Sequence, residues 1–193
     1  MKKWRNLLAI FLLLVGGSAL AKEMVFPIKD PYFKVLRRYS KKAEYYNWQD
    51  LQASLIVHAT YVSNEFREAF RNQYEKIYPH GQEQRAQQRA DLWMNPDPEA
   101  TFFVALYGRK REMMELGNDK SLQDLSLEVG GRNYKPKLVE KITITPFELY
   151  FFNYLNLWFQ GYRVVFPYEG LRDKEVPFEL QIHGVAGGGA LKF

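Results

Sequence analysis

The sequence contains no cysteine among its 193 residues. It can therefore form no disulfide, no thiolate metal site and no lipid-modified cysteine. Histidine is also scarce, because only His58, His80 and His183 are present. No two of them have the i,i+4 spacing of a helical metal site. The fold must therefore depend on its hydrophobic core alone.

Motifs of the common enzyme classes are missing as well. The sequence has no G-x-S-x-G elbow, no H-E-x-x-H motif and no P-loop. The glycines within residues 184–189 are followed by too few residues for the helix that a dinucleotide-binding turn requires. We therefore predict no catalytic residue, no metal ligand and no cofactor.

The apolar run at residues 7–15 is shorter than the about 20 residues that a membrane-spanning helix needs. Basic residues precede it at Lys2, Lys3 and Arg5, and an Ala-Leu-Ala tripeptide ending at Ala21 follows it. This order is typical of a secretory signal peptide. We predict that residues 1–21 are cleaved after Ala21 and that the protein is periplasmic or secreted. An uncleaved N-terminal anchor is the alternative.

An excess of charge of one sign is also lacking. The formal net charge is +5, from 27 basic and 22 acidic residues. Removal of the three basic residues of the signal peptide leaves 24 against 22, a net charge of about +2. This balance gives no support to nucleic acid as a partner.

Residues 22–50 are predicted to contain a basic amphipathic helix. Asp30 is a good N-cap and Pro31 suits the first helical position, and apolar residues recur at helical spacing as far as Tyr46. The opposite face carries Lys34, Arg37, Arg38, Lys41 and Lys42. This face is either an ordinary solvated surface or a site of peripheral membrane contact.

Residues 51–193 are predicted to form a second region that is rich in strands. Residues 51–62 alternate between apolar and polar, and residues 101–107 are apolar on both faces, as in a central strand. Between these strands, residues 64–95 are predicted to be a helical insertion. Further on, 125–129 is predicted as a strand, Gly130 and Gly131 as a hairpin turn, and residues up to 144 as the return strand.

The most aromatic stretch of the chain is 145–166. Thr145, Pro146 and Glu148 form a capping box pattern, which predicts a helix over residues 146–159 that ends at Gly161 and packs largely in the core. A strand is the competing interpretation, because the same residues also alternate.

The pattern of about seven strands with short links predicts an antiparallel β-sandwich with helical additions. The segment Gly-Tyr-Arg-Val-Val-Phe at 161–166 resembles the tyrosine corner of immunoglobulin-like domains. The whole layout resembles uncharacterised exported proteins of Gram-negative bacteria that carry such a sandwich. The first resemblance implies that the phenol of Tyr162 bonds to upstream backbone, and the second implies no particular activity.

Two groups of residues could form an interaction surface. Tyr154 and Trp158 with the amides of Asn153 and Asn156 would suit a sugar, although these rings could equally be core. The basic residues Arg37, Arg38, Lys41 and Lys42 could contact an acidic surface. We therefore expect a non-enzymatic binding or envelope-assembly protein whose partner is another envelope protein or a glycan. The alternative is a hydrolase or glycan-binding protein that acts on cell-envelope polymers.

Overall fold

The computed structural model describes residues 30–47, 52–79, 84–117, 121–169, 171, 176–185 and 188–193. The predicted signal peptide lies outside these residues. The helices are α1 (Pro31–Arg38), α2 (Asn64–Ile77), α3 (Gln84–Met94) and α4 (Pro146–Phe151), with a short 3-10 helix at Arg111–Met114. The strands are β1 (Ser40–Asn47), β2 (Gln52–Tyr61), β3 (Ala100–Gly108), β4 (Gln123–Val129), β5 (Arg132–Tyr134), β6 (Leu138–Ile142), β7 (Gln160–Phe166), β8 (Phe178–Gly184) and β9 (Gly189–Lys192).

The described strands form two antiparallel sheets, so the prediction of a mainly β fold with helical additions is confirmed. One sheet has the order β1-β2-β3-β7-β6 and the other β5-β4-β8-β9. One hydrophobic core lies between them, in which Phe102 of β3 meets Phe178 of β8 edge to face at 6.0 Å. The apolar strand predicted at 101–107 is indeed the central strand of the larger sheet.

A second core lies on the outer face of the five-stranded sheet, where the helices pack. Phe103 of β3 contacts Phe152, which follows α4, with ring centroids 4.1 Å apart. Phe70 of α2 stacks on Phe151 of α4 at 4.2 Å. Because β3 is covered on both faces, its apolar residues do not alternate with polar ones.

Helix α3 is polar over most of its surface, and its C-terminal end is held by arginines from α2. Arg67 is 5% exposed and donates to the carbonyl oxygens of Trp93 and Asn95, and Arg71 donates to that of Met94 at 3.1 Å. These guanidinium groups satisfy carbonyls that have no partner within the helix and oppose the helix dipole. These bonds hold α3 to α2 within the insertion, and Trp93 packs the insertion against Phe103 of β3, with ring centroids 5.3 Å apart.

The N-terminal helix is shorter than the sequence predicts. It begins at Pro31, with Asp30 accepting from the Tyr32 amide at 2.9 Å, but it ends at Arg38. Residues 40–47 form strand β1, which pairs with β2 instead of continuing the helix. The prediction failed because the apolar positions fit both periods, and the hydrogen bonds that β2 offers decide between them.

The helix predicted over 146–159 is also shorter, because α4 ends at Phe151. The predicted capping box is present, since Glu148 accepts from the Thr145 amide at 2.8 Å. Beyond the helix the side chain of Asn156 accepts from the Trp158 amide at 2.9 Å. Such local bonds compete with helix formation and favour a turn.

Gly161 is not a helix stop, contrary to the prediction, but lies in β7. A β-carbon there would come within 2.9 Å of Ile144 and 3.1 Å of Phe103, so close packing explains the glycine. Tyr162 is buried in the core. Its hydroxyl donates to the Met114 carbonyl at 2.7 Å, so it does bond to upstream backbone, although 48 residues away.

The predicted hairpin at Gly130 and Gly131 is present, and both glycines have the positive φ that a two-residue turn needs. The return strand is divided, however. Strand β5 ends at Tyr134, and after Pro136 the chain enters β6 in the other sheet. Proline has no amide hydrogen and cannot continue a ladder. Over the described ranges, no helix has the length and hydropathy to cross a membrane.

Candidate functional site

The loop at residues 153–159, between α4 and β7, carries the most exposed large apolar pair within the described residues. Leu157 is 71% exposed and Trp158 is 74% exposed. We call this segment the aromatic loop. Large apolar side chains at such exposure often mark a contact surface when they lie together.

The aromatic loop is held at both ends. At its start, the Leu155 amide donates to the Phe152 carbonyl at 2.9 Å, and at its end the Phe159 amide donates to the Asn156 carbonyl at 3.3 Å. The side chain of Gln160 donates to the Ile142 carbonyl at 3.2 Å and so ties the exit of the loop to β6. Leu157 and Trp158 therefore sit at the tip of a segment with defined turns.

Tyr154 anchors the loop to the outer face of β2. Its hydroxyl lies 2.6 Å from that of Thr60, which in turn lies 2.6 Å from the hydroxyl of Ser40. Thr60 is fully buried, and Tyr154 is half-buried. Burial raises the pKa of Tyr154 well above its ordinary value, so this phenol stays protonated and can donate.

His58 forms the base of the loop. Its ring stacks on Tyr154 at 4.6 Å and meets the edge of Phe159 at 5.5 Å. Burial, together with the nearby positive charge of Lys42, lowers the pKa of His58 to about 4. The ring is consequently neutral at neutral pH and behaves as an aromatic platform rather than a cation.

Tyr107, near the end of β3, extends the same surface. It is 37% exposed and contacts Phe159 with ring centroids 5.8 Å apart. The aromatic surface therefore consists of the aromatic loop with His58 and Tyr107 beneath it. Sequence reasoning found Tyr154 and Trp158 but missed His58 and Tyr107. The alternation of β2 places His58 on the more polar face of this strand. The contacts of His58 and Tyr107 with the aromatic loop, however, depend on the register of the sheet.

The predicted amides lie on the same loop. Asn153 and Asn156 are both exposed, beside Leu157 and Trp158 in the chain. The carbonyl oxygen of the Asn156 side chain is used by the Trp158 amide. The expectation that the rings of 145–166 are core is right for Phe147, Phe151 and Phe152 and wrong for Trp158.

The predicted basic residues do not lie on one face. Arg38 forms an ion pair with Glu65, in which its Nη1 donates to both carboxylate oxygens at 2.7 and 2.9 Å. Lys41 and Lys42 are consecutive in β1, so they point to opposite faces of the sheet. Lys42 pairs in register with His58 and forms an ion pair with Glu44, which places it near the aromatic surface, whereas Arg37 is exposed on α1.

Three cavities bear on the possibility of hydrolysis. A groove between α1 and α2 includes Glu75 among its lining residues, and a cavity beside β4 includes Asp124, so neither of these brings together the two carboxylates that acid–base hydrolysis of a glycan requires. A third cavity is lined by Asp97, Glu99 and Glu169, but its volume of about 10 Å³ is close to that of one water molecule, which is too small for a sugar. No cluster of three or more potential metal ligands occurs in the part of the chain that the structure describes.

Comparison with known proteins found no matching family model, no similar curated protein and no similar solved structure.

Proposed function

We propose that this protein is exported and acts in the cell envelope by binding, without catalysis, through the aromatic surface. The observation that carries the proposal is the exposure of Leu157 and Trp158 at the tip of an anchored loop. Leaving two large apolar side chains in water forgoes about 1.5–3 kcal/mol of burial for each. A partner that covers them would recover this free energy.

The first candidate partner is another envelope protein. Leu157 extends the exposed surface with an aliphatic side chain, and Tyr107 and Phe159 continue it across the sheet. Contact surfaces between proteins are enriched in tryptophan and tyrosine at their centres, surrounded by polar groups. Asn153, Asn156 and Lys42 supply such a polar rim.

A glycan is the second candidate, and a different observation favours it. Trp158 is 74% exposed, and the exposed amide of Asn153 lies on the same loop. Aromatic faces stack on the apolar faces of sugars, and amides bond to hydroxyl groups. This candidate predicts binding to soluble envelope oligosaccharides with no release of products.

Two structural proposals accompany the functional one. The two packed sheets are proposed to be a β-sandwich, which the shared core supports. An immunoglobulin-like relationship is proposed on the bond from Tyr162 to upstream backbone. Export is proposed from the signal-peptide pattern, and sequencing of the N-terminus of the exported chain should give Lys22 as its first residue.

The test of the binding proposal is a pair of variants of the tagged, exported chain. Leu157→Ser with Trp158→Ser removes the exposed pair, and Val185→Ser is the matched control because Val185 is 77% exposed in another part of the molecule. We expect reversible crosslinking in intact envelopes to recover a specific complex with the wild type and the control, but not with the double variant. Equal recovery with all three chains would refute the aromatic surface as the binding site.

A further inference from the structure

A cavity of about 220 Å³ lies beside β4, and it involves no residue of the aromatic surface. Residues 123–126 of β4 form one wall. Lys135 and Pro136, which follow β5, line it as well, together with Leu116 and Val139. The cavity thus lies where a longer β5 would have continued alongside β4.

The β4 edge at this cavity has no neighbouring strand among the described residues. Strand β8 pairs with β4 over 123–129, but β5 pairs only over 127–129. Val129 and Arg132 close the two-residue hairpin, so the main-chain groups of every second residue from Val129 back to Leu125 point to the β5 side. The N–H and C=O groups of Leu125 therefore face the cavity.

Gln123 provides the second, independent observation. It is 1% exposed and lines the cavity. Neither its Nε2 nor its Oε1 has a hydrogen-bond partner within the described structure. A buried carboxamide without partners is unfavourable for folding, and its donor and acceptor together match one peptide group.

We propose that this notch binds an extended peptide segment of a partner protein, which adds to β4 at Leu125, because the main-chain groups of Gln123 already bond to the Ser121 hydroxyl. The main chain of Leu125 would pair with the peptide backbone, and the Gln123 carboxamide would bond to a further peptide group. Leu116, Pro136 and Val139 would receive one apolar side chain. Strand addition of this kind derives affinity from main-chain bonds and specificity from side-chain pockets.

The test starts from a displayed library of random nine-residue linear peptides, selected on the full exported chain. Selected peptides are synthesised with blocked ends and titrated into the ¹⁵N-labelled protein. We expect the NMR resonances of the Leu125 backbone amide and the Gln123 side-chain amide to shift. At saturation, hydrogen exchange of the Leu125 amide should slow at least tenfold.

Matched variants separate binding from structure. Gln123→Met keeps the size of the side chain and removes its polar atoms. It should weaken peptide binding at least tenfold while the melting temperature stays the same or rises. Gln87→Met on α3, whose amide donates to Asp91 at 2.8 Å far from the notch, should leave binding unchanged.

Several results would overturn the proposal. One is that the library yields no peptide that shifts Leu125, while acetamide at millimolar concentration shifts Gln123 alone. Another is that the selected peptides shift Leu157 and Trp158 instead, which would assign them to the aromatic surface. A third is that Gln123→Met lowers the melting temperature and leaves peptide affinity unchanged, which would make the amide structural.

Discussion

The imidazole ring of His58 and the phenol ring of Tyr154 stack with centroids 4.6 Å apart and planes 5° from parallel. This contact joins the outer face of β2 to the loop that exposes Leu157 and Trp158. Because Tyr154 is also bonded to Thr60, the loop is held by a ring contact and a hydrogen bond at one point. The exposure of the loop tip is therefore a property of an anchored segment.

The lowered pKa of His58 predicts a pH dependence of stability. Burial, and then the charge of Lys42, lowers this pKa to about 4 in the folded protein, while the unfolded chain has the ordinary value of about 6.5. Between these values the unfolded state binds a proton that the folded state does not, so stability falls as the pH drops through this window. Denaturant unfolding at pH 7 and pH 5 measures the loss.

His58→Phe is the control for this prediction, since it keeps an aromatic ring and removes the titration. The difference in unfolding free energy between pH 7 and pH 5 should be smaller in this variant than in the wild type. An equal difference in the two proteins would contradict the burial of a neutral His58.

Tyr154→Phe tests the hydrogen bond that anchors the loop. The variant keeps the ring stack and leaves the buried hydroxyl of Thr60 with only Ser40 as a side-chain partner. We expect a loss of about 1 kcal/mol in unfolding free energy. Tyr107→Phe, which changes a more exposed ring, should alter the unfolding free energy by less than about 0.5 kcal/mol. Losses of the same size in the two variants would argue against a specific anchor.

Much of the fold can be predicted from local sequence pattern. The alternation before Val62, the doubly apolar strand that contains Phe103, and the paired glycines at 130 and 131 each specify their element with little help from the rest of the chain. The failures occur where a segment fits two patterns. Tyr39, Ala43 and Tyr46 have helical spacing, yet pairing of their segment with β2 makes 40–47 a strand.

The site could be predicted less completely than the fold. Trp158 and Tyr154 stand out as aromatics, but periodicity alone extends the helix through Trp158 and buries it. The Trp158 amide donates instead to the Asn156 side chain, and this bond favours a turn over a continued helix. Hydrophobic periodicity does not take such a local bond into account. The roles of His58 and Tyr107 depend on strand register, which is a property of the assembled sheet.

Gly117→Ala should be strongly destabilising. Gly117 has φ of +75°, and a β-carbon would lie 2.6 Å from the β-carbon of Val139. The backbone conformation costs about 1–2 kcal/mol and the overlap about 1–3 kcal/mol. Chemical denaturation measures the sum.

Two further variants separate these terms. Gly130→Ala also has positive φ, at +57°, but no atom lies within 4 Å of its added β-carbon, so it should show the backbone cost alone. Because the overlap also involves the two γ-methyl groups of Val139, Val139→Ala should recover part of the loss in Gly117→Ala. No recovery would show that the γ-methyl groups of Val139 are not what limits this position.

The ion pair between Arg89 of α3 and Glu148 of α4 should be important for stability. The Glu148 side chain is 1% exposed, and its carboxylate also accepts from the Thr145 amide. Arg89→Met leaves this buried carboxylate without its cation, and we expect a loss of about 3 kcal/mol. The double variant Arg89→Met with Glu148→Gln should be less destabilised than the single one. A double variant that loses the sum of both single effects would contradict the coupling.

The central claim is that the protein binds its partner through the exposed tip of the aromatic loop. Site-specific photo-crosslinking in intact cells tests it most directly, with the photoreactive residue placed at Trp158 or, as the matched control, at Val185. We predict one discrete crosslinked product from position 158, its loss when Leu157→Ser is added, and none from position 185. The same products from both positions, or none from position 158 in a correctly exported and folded chain, would contradict the claim.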